Sequence, residues 1–170
     1  MFQNLINNLG SEYEPFKKVF RTGKLVDAFE ELNKIEDEKS DLLKAFVLIL
    51  LKKTKRALEY LNRISIDEIF FIEKDIYYEL IGFCYNEEKN KLEATRYYLK
   101  ALEFNSLNFY ARYNLTNIYL VKKDYKNAYN NLLFLSQLEP ENNTIKNNLE
   151  KIKKHIWGFD CLILIIFPEI

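Results

Sequence analysis

A single histidine, His155, and two cysteines, Cys84 and Cys161, are the residues of this chain most suited to metal binding or nucleophilic chemistry. Their number and spacing restrict both. One imidazole cannot build a His-based metal cluster, and a Ser-His-acid triad would have only His155 to draw on. His155 stands beside Lys154 and near Trp157 on an amphipathic stretch, where a surface or packing role is expected. The cysteines make no metal or redox spacing and no disulfide framework. Cys84, next to Phe83, reads as a small buried apolar residue. Paired acids at Glu30-Glu31 and Glu36-Asp37-Glu38 are of a type that serves acid–base chemistry, but they fall on helix surfaces or helix ends. The four glycines are scattered and form no phosphate-binding loop. The residues therefore imply no cofactor, no metal and no intrinsic enzyme.

With 25 basic and 25 acidic residues the formal charge is zero, and the two signs are interleaved. Nucleic-acid binding needs a concentrated basic surface and is not expected. Local basic clusters at Lys52-Lys53-Lys55-Arg56 and Lys151-Lys153-Lys154 read as solvated helix ends, where cations suit the helix dipole. The N-terminus, MFQNLINNLGSEYEP, has neither a basic leader nor a continuous apolar run, so a cytoplasmic location is the expectation.

The elements that position these residues are helical. Prolines occur only at 15, 140 and 168, which leaves 124 residues from Phe16 to Glu139 without one. A β-rich domain of 170 residues would need more turn residues, so the fold class is all-α. Phe109 to Asn142 shows the pattern most clearly. Leu115, Ile118, Tyr119 and Lys122 follow helical spacing, as do Tyr125, Ala128, Tyr129, Leu132 and Leu135. Lys122-Lys123-Asp124 separates the two runs and Pro140 closes the second. This unit resembles a tetratricopeptide repeat (TPR), a helix-turn-helix of about 34 residues. Leu115, Tyr119, Ala128, Leu132 and Pro140 match the family pattern, whereas Arg112 and Thr116 stand where Trp and Gly are typical.

The small anchor recurs at Ala94, Ala57 and Ala28, giving spacings of 29, 37 and 34. The repeat around Ala94 carries Tyr78, Ile81, Gly82, Tyr85, Tyr98 and Ala101, with Gly82 allowing a neighbouring helix to approach the backbone. The resemblance implies a TPR-like helical-hairpin solenoid of about four repeats, 12–38, 39–66, 75–108 and 109–142. Residues 1–11 form an N-terminal extension with a short helix, and Ser65–Lys74 reads as a loop with a short helical turn. A capping helix over 143–157 carries Ile145, Leu149, Ile152 and Ile156. An apolar tail, 158–170, follows; it folds back, inserts shallowly in a membrane or partner, or is an altered end of a longer chain.

TPR arrays generally bind extended peptides or helices of partner proteins on a concave face lined by the first helix of each repeat. Carried over by position, that lining comprises Leu42 and Phe46, then Ile76, Glu79 and Phe83, then Tyr110, Tyr113, Asn114 and Asn117. Leu42 and Phe46 read equally as core. A TPR subfamily grips chaperone C-terminal carboxylates with a basic clamp, but Glu79, Phe83 and Tyr113 break that pattern and binding of such tails is not expected. The resemblance thus implies a non-enzymatic adaptor or assembly factor with an aromatic and amide groove for a protein partner. The alternative is a membrane-peripheral or self-assembling structural protein that uses Lys151–Lys154, Trp157 and the tail.

Overall fold

The computed structural model describes residues 2–66 and 74–166, with side chains over 5–66 and 74–156. Every regular element among them is helical. The chain divides into two compact units, Met1–Phe104 and Asn105–Ile170. The first holds α1 (Phe2–Asn7), a 3-10 turn (Ser11–Tyr13), α2 (Glu14–Arg21), α3 (Leu25–Leu32), α4 (Glu38–Leu50), α5 (Thr54–Leu61), α6 (Lys74–Glu87) and α7 (Lys91–Phe104). The second holds α8 (Phe109–Val121), α9 (Tyr125–Leu138) and α10 (Asn143–Ile166). Most of the expected loop Ser65–Lys74 lies outside the described residues.

Four helical hairpins, α2–α3, α4–α5, α6–α7 and α8–α9, share one local design. Each turn holds one residue in the left-handed region: Gly23 (φ 78°), Lys52 (59°), Lys89 (63°) and Lys123 (59°). In the last three, the next amide donates back to the carbonyl five residues earlier. These bonds are Lys53 to Leu48 at 2.8 Å, Asn90 to Tyr85 at 2.9 Å and Asp124 to Tyr119 at 2.9 Å. That is the Schellman arrangement, which satisfies orphan carbonyls at a helix C-terminus. The second helix then begins in the same way each time. The amides of Ala28, Ala57, Ala94 and Ala128 donate to the carbonyls of Lys24, Lys53, Asn90 and Asp124. All four alanine side chains are fully buried, because a larger residue would hold the two helices apart. Asn90 Oδ1 and Asp124 Oδ1 also cap their helices, accepting from Glu93 and Asn127 amides at 3.2 Å.

In the first unit Tyr13, Phe16, Ala28, Leu32, Leu43 and Val47 form one core. The Tyr13 hydroxyl donates to the Asp37 carboxylate, 2.5 Å from Oδ1 and 2.7 Å from Oδ2. Asp37 in turn caps α4, accepting the Ser40 amide at 2.6 Å. The hairpin α6–α7 closes on Gly82, where an added Cβ would lie 2.8 Å from ring carbons of the fully buried Tyr98. In the second unit Ile145 and Ile152 of α10 pack with Ala128, Leu132 and Leu135 of α9, each leucine and isoleucine contributing roughly 1.5–3 kcal/mol through burial. The helix α10 extends beyond the expected cap 143–157 into the tail. Lys151, Lys153 and Lys154 consequently lie within a helix rather than at its end.

Candidate functional site

The residues expected to line a binding face divide between the units. In the first, Leu42 and Ile76 are fully buried, which for Leu42 is the core reading that the sequence allows equally and for Ile76 corrects an expected place on a surface. Glu79 is 9% exposed and also sits in the packed interior. The reason lies in α6, where every residue from Asp75 to Gly82 is buried. A helix covered on nearly all sides has no single outward stripe, so periodicity assigns its face incorrectly. Phe46 and Phe83 remain half-buried, with the Phe46 ring 6.1 Å from that of Phe20.

In the second unit α8 presents a more open face. Tyr110 is 54% exposed, Asn117 is exposed and Asn114 half-buried, all at i, i+4 and i+7. Val121, four residues beyond Asn117, is 74% exposed and continues the same line. Its spacing was readable in the sequence, but an aliphatic at a helix end gives no signal of its own. Tyr113 lies partly inward, its ring stacked on Phe109 at 6.0 Å and 7°.

The only charged residue on α8 is Arg112. Its guanidinium lies 3.9 Å over the Phe134 ring, donates to Asn131 Oδ1 at 3.2 Å and to the Ser106 carbonyl at 2.8 Å. Burial lowers its pKa. A flat, delocalised cation thus fills the position where the family places Trp, leaving the Tyr110–Asn117 line uncharged.

His155 is exposed and stacks on Tyr125, with centroids 5.1 Å apart. Cys84 is buried, and burial pushes its thiol up from 9.0 to about 12. An open pocket of about 400 Å³ beside Tyr60 carries Asp37 and Asp41, but Asp37 caps α4 and Asp41 pairs with Lys44 at 3.2 Å. Among the described residues no group of three or more His, Cys, Asp or Glu could hold a metal ion. Among them, too, no helix is long and apolar enough to cross a membrane. The side chains of Trp157, Cys161 and the tail lie outside the described residues.

Hairpins with left-handed turns and buried alanines define a TPR-like helical-repeat fold. Solved structures agree. Among 32 matching chains is the one described as "MamA AMB-1 P212121", a TPR-like protein. It is 15% identical in sequence, with a TM-score of 0.66 over 85% of this chain and 80% of its own. No family model and no curated protein sequence matches.

Proposed function

We propose that the chain is a non-catalytic protein-interaction module that holds an extended or helical apolar segment of a partner along the exposed face of α8. The observation that carries this reading is the uncharged line of Tyr110, Asn114 and Asn117, with Tyr110 54% exposed. A tyrosine offers a large contact area and a polar tip at little cost in conformational entropy. An asparagine amide both donates and accepts, so it can bind a peptide backbone whatever its side chains. With no carboxylate on α8 and the Arg112 guanidinium held by Asn131, Ser106 and the Phe134 ring, the Tyr110–Asn117 line itself presents no charge to an apolar segment. Phe46 and Phe83 offer smaller contacts in the first unit, where Leu42, Ile76 and Glu79 act through packing.

The test is Tyr110→Ala combined with Asn117→Ala in the full chain. Helicity and melting temperature stay unchanged, while affinity for peptides selected on the unaltered protein falls at least tenfold, since hot-spot truncations cost about 2 kcal/mol or more. Undiminished peptide binding by the double variant refutes the reading. Tyr113→Ala is unsuitable alone, because its ring supports the core.

A further inference from the structure

Short connections make adjacent helices antiparallel, which puts the turns within hairpins at one end and the links between hairpins at the other. In the first unit the turns at Gly23, Lys52 and Lys89 therefore share an end. Two of them touch directly, Thr54 Oγ1 donating to Glu88 Oε1 at 3.0 Å.

Three properties of these turns go beyond what a hairpin turn requires. Cations crowd the N-termini of the second helices: Lys53 is the N-cap of α5, Lys55 and Arg56 lie in its first turn, with Arg56 over the Phe29 ring, and Lys91 opens α7 while donating to Asn86 Oδ1 at 2.6 Å. This is the end of a helix dipole that repels positive charge. Next, Lys52 and Lys89 occupy left-handed backbone that glycine would adopt without strain. Finally, an aliphatic side chain stands in solvent beside each turn: Val26 at 55%, Leu50 at 43% and Leu92 at 74%. The turn of the second unit has the same make-up, with Val121 at 74% beside Lys122 and Lys123. The acids nearby are Asp27, Glu87, Glu88 and Glu93. Of these, Glu88 accepts from Thr54 and lies 3.9 Å from Lys55, and Glu93 pairs with Arg96 at 2.7 Å.

We propose that the turn edge of the first unit docks on an anionic lipid bilayer. Lysines there meet the negative headgroups, and Val26, Leu50 and Leu92 enter the boundary with the acyl chains. Charge alone would also suit a nucleic acid. However, exposed aliphatics gain nothing from phosphates, and Phe104, the large exposed aromatic among the described residues of the first unit, stands at the far end of α7 from these turns, so no base-stacking platform adjoins them.

Vesicle co-sedimentation of the full chain tests this, using phosphatidylcholine with and without phosphatidylserine. Binding appears only with phosphatidylserine and weakens with added salt. Lys52→Gln, Lys53→Gln and Lys89→Gln together weaken it by roughly a hundredfold. Val26→Ser with Leu92→Ser weakens it severalfold at unchanged charge and unchanged salt dependence. Circular dichroism melts confirm that these exposed substitutions leave folding intact. Unchanged binding by either variant overturns the proposal, since the C-terminal segment is intact in both. Absence of phosphatidylserine-dependent binding at low salt overturns it too, as does capture of single-stranded RNA in place of vesicles.

Discussion

Gly82 and Tyr98 show how one missing side chain sets a helix separation. Tyr98 is fully buried, so its ring cannot swing away from a new methyl group. Gly82→Ala gains helix propensity worth about 1 kcal/mol but overpacks the contact at a cost of about 1–3 kcal/mol. A net destabilisation of the order of 1 kcal/mol is expected, measured as a lower urea midpoint at constant m-value. Gly82 was legible because it stands twelve residues before Ala94, the interval that a hairpin repeats. Arg112 was legible only as a departure from the pattern. Its partners Asn131 and Phe134 lie on the next helix, and nothing in the linear order announces that a guanidinium can lie flat where an indole is usual. Ile76 was misplaced, and Leu42 left open between groove and core, for the opposite reason, since apolar residues mark the core face and a binding face alike.

The hairpin turn is the element that recurs most faithfully, yet its chemistry was hidden. Gly23 signals a left-handed residue from sequence, whereas Lys52, Lys89 and Lys123 do not, because lysine seldom adopts that conformation. Their conformation is imposed by the returning amide bonds and by burial of the alanine that follows. Lys123→Gly should relieve this strain and raise stability by about 1 kcal/mol, less the extra freedom glycine gains in the unfolded chain. A melting temperature that rises with the fold unchanged would confirm it, and a fall would show that the lysine stem itself packs. The α10 boundary differs as well, since the sequence places the capping helix over 143–157 while the backbone stays helical through Ile166.

For the whole molecule, the sequence reads as one array, yet internal packing separates it after Phe104. The segment Asn105-Ser106-Leu107-Asn108 resembles any other link between hairpins, so composition marks no boundary there. The first unit holds a set of buried acids that resist ionisation. Burial pushes Tyr77 from 10.0 to about 12 and Cys84 from 9.0 to about 12, and raises Tyr13 and Tyr98 in the same direction. Above about pH 9 the unfolded chain releases these protons while the folded chain keeps them. The stabilisation is complete below that range and is lost as pH rises. Urea midpoints should therefore stay level in this respect up to about pH 9 and fall beyond it, with a shallower fall for Tyr98→Phe. An equal fall in that variant would assign the effect elsewhere. The turns also set a rule for change in length. From Gly23, Lys52, Lys89 and Lys123 to the buried alanine is always five residues, although the alanines themselves are spaced by 29, 37 and 34. Differences in repeat length thus fall outside the turns, partly in the second helices, eight residues in α3 and α5 against fourteen in α7 and α9, and partly in the links between hairpins. Evolution can lengthen the chain there, and an engineer can place a reporter there, without resetting a single cap.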